Sequence, residues 1–292
     1  MGLFLKRGDV VGVAAPSARF DRALFDQGVA CLRAMGFEVH VPSGIFDHHR
    51  YLAGTDESRA KIVNELFADP EIKGIISVRG GFGAMRILEH LDWDVIQTHP
   101  TLYIGFSDAS ALITTLVGRA GQAAVHGPNL VSLAGAGQKT LDGFFEAVTG
   151  NVCSIKAAHG CCLVSGKCFG KLVGGNLSTL AHLTGTSFQA DFNSGILFIE
   201  EVGEPAYKID RMLCQMDMAG CFNGIQGVVT GTFENCANPN YIPQIITEIF
   251  APKGVPVCMG VEAGHGTINL ALPMGMPVSL DADQRRICWQ GI

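Results

Sequence analysis

Charge is scarce in this chain. Only 16% of its 292 residues are charged, and the formal sum is −6. With no basic surplus there is no patch to neutralise phosphates and no polybasic segment for an anionic bilayer, which excludes nucleic acid and membrane surfaces as partners. Long apolar runs are missing too. Residues 1–10 carry Lys6 and Arg7 but no stretch suited to a secretion signal, and no later run approaches a membrane span. A cytoplasmic location is the expectation. The 10 cysteines include no C-x-x-C pair, so free thiols are expected rather than a disulfide framework. Their densest stretch, Cys161, Cys162 and Cys168 with His159, lacks the paired ligand spacing of zinc sites, and no metal is expected.

What the chain does have is apolar content, 48%, together with 37 glycines, which implies a well-buried core with many tight turns. Its N-terminal part alternates strand and helix patterns. Strands are expected at Asp9–Ala14, Phe37–Val41, Ile72–Val78, Leu102–Gly105 and Ala123–Val125. Helices are expected at Phe20–Met35, between the Thr55-Asp56 cap and Asp69-Pro70, and at Asp108–Arg119. Such alternation means parallel strands joined by crossovers, an open doubly wound α/β sheet. Ligands gather beyond the carboxyl ends of the strands in these sheets. Ala15-Pro16-Ser17, Arg79-Gly80-Gly81-Phe82-Gly83 and Ser107-Asp108 all lie there. The glycine loop lacks both dinucleotide spacing and a P-loop lysine, so its N–H groups suit an oxyanion better than a phosphate.

Residues 1–130 form the expected first domain and 131–162 a connection with a short helix at Leu141–Thr149. The second domain, 163–292, is richer in strands: Ile196–Ile199, Ile225–Val229, Val255–Met259, Ile268–Leu272 and Pro277–Leu280. Short strands without intervening helices near its end imply a mixed or barrel-like sheet.

Ser107 stands in Gly105-Phe106-Ser107-Asp108-Ala109-Ser110, where a strand gives way to a helix. The elbow pattern G-x-S-x-G is half met, because Ala109 replaces the second glycine; an ordinary helix N-cap fits the same residues. A serine nucleophile needs a base. His126, before Gly127-Pro128, and His265, in Gly264-His265-Gly266, are the histidines in suitable settings. An orienting acid is offered by Glu200 and Glu201 at the end of an apolar strand, where they point to opposite faces, one expected toward the cleft and one toward solvent. Alternation does not choose between them, since both faces are apolar.

In order, Gly12-Val13-Ala14-Ala15-Pro16-Ser17, Arg79-Gly80-Gly81-Phe82-Gly83, Gly105-Phe106-Ser107-Asp108, His126-Gly127-Pro128, Gly174-Gly175-Asn176-Leu177, Ile199-Glu200-Glu201 with Tyr207 and Asp210-Arg211, and Gly264-His265-Gly266 span nearly the whole chain. Together they resemble the LD-carboxypeptidases, the serine peptidases of the muramoyltetrapeptide carboxypeptidase and microcin C resistance group. The resemblance implies a Rossmann-like or flavodoxin-like N-terminal domain carrying Ser107 and a C-terminal domain carrying Glu200 and His265. It makes Ser107 the nucleophile, His265 the general base and Glu200 the orienting acid, with the oxyanion held by the N–H groups of Gly81 and Asp108. No metal or cofactor is implied, and a homodimer is. The substrate would be a murein tetrapeptide losing its terminal D-alanine, with Arg79 or Arg211 facing the free carboxylate.

Two positions depart from the family pattern. A tyrosine is common where Phe82 stands, and a methionine often follows His-Gly-Pro where this chain has Asn129. Two rival functions stay open: a self-immunity hydrolase of a peptide-nucleotide antibiotic, and a two-domain binding protein without chemistry. The former tends to carry extra aromatic loops, which a chain with only Trp93 and Trp289 lacks.

Overall fold

The computed structural model describes residues 4–291. The chain forms two compact units, one running to Gly150 and taking back Leu270–Pro273, the other made of Asn151–Asn269 and the residues from Met274 on.

In the first unit, β1 (Val10–Ala14), β2 (Glu38–His40), β3 (Ile72–Ser77), β4 (Leu102–Gly105) and β5 (Ala124–His126) lie in the order β5-β4-β3-β1-β2. Every neighbouring pair among them is parallel. This is the flavodoxin-type doubly wound order, whose switch point falls between β1 and β3. The helices are α1 (Arg22–Ala34), α2 (Asp56–Ala68), α3 (Ala84–Ile87), α4 (Trp93–Thr98), α5 (Ser110–Arg119), α6 (Leu130–Leu133) and α7 (Gln138–Val148). α1 starts two residues later than the sequence pattern suggests because Asp21 caps it, accepting from the Leu24 N–H at 3.0 Å. α2 begins as expected, with Thr55 Oγ1 accepting from the Ser58 N–H at 3.2 Å. Its stripe of Ile62, Val63, Leu66 and Phe67 is buried, each such side chain contributing about 1.5–3 kcal/mol.

The second unit holds β6 (Ser154–Lys156), β7 (Cys161–Val164), β8 (Lys167–Asn176), β9 (Gly195–Val202), β10 (Gly227–Glu234), β11 (Val257–Met259), β13 (Pro277–Asp281) and β14 (Arg286–Trp289), with β12 (Leu272–Met274) discussed below. Their order is β6-β14-β13-β8-β9-β10-β11-β7. The sheet is mixed: β8, β9, β10 and β11 run parallel, and antiparallel strands flank them on both sides. α8 (Leu177–Leu183), α9 (Ala206–Met218) and α10 (Ile242–Phe250) complete it. Residues Ile196 to Ile199 of β9 are fully buried on both faces, as befits the middle of a parallel region.

Two stretches differ from expectation. The unit boundary divides 131–162: α6 and α7 fall before it, while β6 falls after it because it pairs with β14. The strand expected at Ile268–Leu272 forms instead as β12 and joins the edge of the first unit's sheet. Gly127 makes room there, since a Cβ on it would lie 2.6 Å from Ala271 Cβ. The ten thiols, scattered through both units, are unpaired. Among the described residues no helix is long and apolar enough to cross a membrane.

Candidate active site

Ser107 follows β4 and does not cap a helix. It opens a 3-10 turn, Ser107–Ala109, with φ of 63°, a left-handed conformation that costs a non-glycine residue about 1–3 kcal/mol. It is also the one position between Thr101 and Leu116 with appreciable exposure. A strained turn that lifts one hydroxyl out of a buried run is the geometry of a presented nucleophile. The N-cap alternative fails because the extended residue before the turn is Phe106 (φ −156°).

The loops expected to converge here do so. A Cβ on Gly80 would lie 2.7 Å from Ser107 Cβ and 3.3 Å from Asp108 N, so only glycine lets the two loops come this close. The Ala18 N–H donates to Gly80 O at 3.3 Å, joining the loop after β1 to the glycine loop. Gly81 has φ of 104°. Asp108, buried in the turn, accepts the Ala84 N–H at 2.8 Å at the start of α3. Burial pushes its carboxyl up, opposed by the Ser17 hydroxyl, the Ala84 N–H and the Arg59 charge. Asp108 therefore fixes the far end of the glycine loop against the serine turn, holding Gly81 and Asp108 in one constellation.

Arg59 was not singled out by sequence. Fully buried on α2, its guanidinium donates to Pro16 O and, at 2.9 Å, to Gly83 O, and it pairs with Asp56. One side chain thus ties the loops after β1 and β3. Its signal was present, since an arginine in register with Ile62, Val63 and Leu66 interrupts an apolar stripe.

In the second unit, His265 Nδ1 and Glu200 Oε2 are 2.7 Å apart, and Glu200 is fully buried. Glu200 lies near the end of β9, opposite an irregularity of β10 where pairing jumps from Thr230–Ile199 to Phe233–Glu201. Gly264, at φ 114°, is indispensable: a Cβ there would come within 2.5 Å of Glu200 Oε2. Asn269 Oδ1 accepts the Gly264 N–H at 2.9 Å and secures the loop. Burial works against charge on His265, but the Glu200 hydrogen bond and the charges of Glu200, Glu201 and Glu234 outweigh it, so its pKa is raised above the ordinary 6.5.

Glu201 does not face solvent as expected. It is 2% exposed, and its carboxylate accepts from Asn176 Nδ2 (3.2 Å), the Ser178 N–H (2.8 Å), Ser178 Oγ (2.7 Å) and the Val202 N–H (2.8 Å). Strand alternation does send the two carboxylates to opposite faces, but Glu201 is consumed at the N-terminus of α8, where the helix dipole favours an anion. His126, the rival base, is fully buried at the end of β5. Arg79 is exposed and donates to Arg19 O at 3.1 Å; Arg211 is exposed, its guanidinium 5.4 Å from the Tyr207 ring centroid.

Family models for the LD-carboxypeptidase N-terminal domain and C-terminal domain match residues 11–127 and 169–280. A probable murein peptide carboxypeptidase of Bacillus subtilis is 32% identical over 96% of this chain and 91% of its own length. The chain belongs to the LD-carboxypeptidases. As a member of that family it is a serine-type carboxypeptidase with two α/β units. Among solved structures, MccF in complex with glutamyl sulfamoyl guanosine superposes with a TM-score of 0.90 at 25% identity, covering 99% of this chain and 98% of that one. The muramoyltetrapeptide carboxypeptidase of Oxalobacter formigenes gives 0.85 at 26%, covering 96% and 97%. This LD-carboxypeptidase thus shares its fold with a microcin C7 self-immunity protein and with a muramoyltetrapeptide carboxypeptidase.

Proposed function

We propose that this enzyme removes the terminal D-alanine from murein tetrapeptide through a Ser107-His265-Glu200 triad. The observation that carries the reading is the 2.7 Å bond between His265 Nδ1 and buried Glu200, together with the left-handed Ser107 in the other unit. With Nδ1 engaged by the carboxylate, Nε2 is the ring nitrogen that exchanges protons. The reading requires Ser107 Oγ to come within hydrogen-bond reach of it.

His265 takes the Ser107 proton as Oγ attacks the carbonyl of the L,D-amide bond. The oxyanion develops against the N–H groups of Gly81 and Asp108, each such donor being worth about 3–4 kcal/mol in hydrolases of this type. His265 then protonates the leaving amine of D-alanine, and water, deprotonated by the same imidazole, releases the acyl-enzyme. Arg79 and Arg211 are the cations proposed for the substrate's terminal carboxylate. The division of labour proposed follows the two compact units, the first running to Gly150 with Leu270–Pro273 and the second made of Asn151–Asn269 and the residues from Met274 on.

The murein substrate is supported by the name of the Bacillus subtilis relative. It is favoured over a nucleotide antibiotic because both tryptophans, Trp93 and Trp289, are buried at 8% and 7% exposure and present no open face to a base. A cytoplasmic homodimer is part of the same reading, the compartment supported by ten unpaired thiols and the dimer by the family resemblance. The test is incubation with murein tetrapeptide and, separately, a glutamyl sulfamoyl nucleoside, followed by mass analysis. Tripeptide plus D-alanine, abolished in Ser107→Ala, is expected; cleavage of the nucleoside alone moves the enzyme to the other substrate class, and cleavage of neither overturns the substrate reading proposed here.

A further inference from the structure

Asn129 is the N-cap of α6, yet its side chain makes no cap hydrogen bond to that helix. Asparagine is among the strongest N-cap residues because its carboxamide oxygen satisfies an orphan N–H of the first turn. Here that oxygen is used elsewhere. Asn129 is 2% exposed, its Oδ1 accepts the Phe106 N–H at 3.2 Å, and its Nδ2 faces the Phe106 carbonyl at 3.5 Å. Both polar backbone groups of the residue before Ser107 are thus met by one rigid amide from a different loop. Gly105 completes the fit, since a Cβ on it would lie 3.1 Å from Asn129 Oδ1.

We propose that Asn129 is a positioning residue for the nucleophile: its carboxamide clasps the Phe106 peptide and holds the left-handed Ser107 turn that aims Oγ and the Asp108 N–H. The left-handed turn is uphill for serine, so it persists only while neighbouring groups are fixed on both sides. Asp108 and Ala84 fix it after the serine. Asn129 fixes it before. A methionine at 129 has no amide for this bond. The proposal rests on Ser107 being the nucleophile, but the clasp itself can be read without catalysis.

The experiment compares wild type with Asn129→Met and Asn129→Asp. Amide hydrogen exchange of the segment 103–109 is measured beside kcat, KM and the rate of Ser107 acylation by a fluorophosphonate. In Asn129→Met the segment should exchange faster, and kcat and acylation should fall together by about tenfold to a hundredfold, the scale of an ångström-level misplacement, with KM changed less than about threefold. Asn129→Asp keeps the acceptor for the Phe106 N–H but sets a carboxylate oxygen against the Phe106 carbonyl, and should recover only part of both losses. Unchanged exchange and unchanged kcat in a folded Asn129→Met protein would overturn the proposal. Faster exchange without any acylation of wild-type Ser107 would leave the clasp standing and remove the nucleophile assignment instead.

Discussion

The serine turn and the histidine loop solve the same problem by different physics. Ser107 is held by backbone: a left-handed φ, a neighbouring glycine that admits it, and two accepted N–H groups, that of Phe106 by Asn129 Oδ1 before the serine and that of Ala84 by the Asp108 carboxylate after it. His265 is held by charge, through one short bond to a carboxylate buried beneath it. The first arrangement should respond to sterics and little to pH. The second should respond to both.

The largest expected effect tests the charged side. Glu200→Gln should lower kcat about 10³- to 10⁴-fold, because a neutral amide no longer favours the working tautomer or the imidazolium. His265 must be neutral to accept the Ser107 proton. Its raised pKa therefore puts the acid limb of wild-type kcat/KM above 6.5, and Glu200→Gln should move the limb of the residual activity down. The same shift has a stability counterpart: the pairing stabilises fully below the unfolded pKa of about 6.5 and is lost as pH rises through the folded value. A limb unchanged by Glu200→Gln would break the comparison.

The backbone side is tested next by Gly80→Ala, whose methyl would meet Ser107 at 2.7 Å. We expect kcat to fall about a hundredfold with the acid limb left in place. A shifted limb in this variant would mean that the two regions are not separable in the way drawn here.

The smallest catalytic effect is expected from Glu201→Ala, despite its adjacency to Glu200. Removing it takes the acceptor from the Ser178 N–H, Ser178 Oγ and the Val202 N–H, and each buried donor left unmet costs about 1–3 kcal/mol. Thermal stability should fall clearly while kcat of the folded protein stays within about threefold of wild type. A kcat loss as large as that of the Glu200 variant would reassign the acid.

How much of this was legible depends on the kind of interaction. The doubly wound sheet was readable from the alternation of apolar runs and capped helices, because each strand and helix carries its period locally. The convergence of Ala15–Ser17, Gly80–Gly83 and Ser107 followed from that topology alone. Ser107 itself read equally well as a cap, since a serine before an apolar run serves both purposes and φ is not written in composition. The faces of Glu200 and Glu201 were predicted to be opposite and are. Their burial was not predicted, because it depends on Ser178 and His265, distant in sequence. Arg59 and Asn129 were missed as fastenings for the same reason: their partners are carbonyls and N–H groups of other loops.

The sequence by itself determined most element types, the parallel running of the first sheet's strands and, through its ordered motifs, the family. Those are properties of local periodicity and residue type. Only tertiary structure decided that Ser107 is left-handed, that Glu201 locks a helix while Glu200 holds His265, that Leu272–Met274 returns to the first sheet, and that Asn129 gives its amide to Phe106. The places of Glu200, Glu201 and Asn129 were each settled by a buried polar group finding its partner across the chain, since burial without one costs more than the bond itself returns.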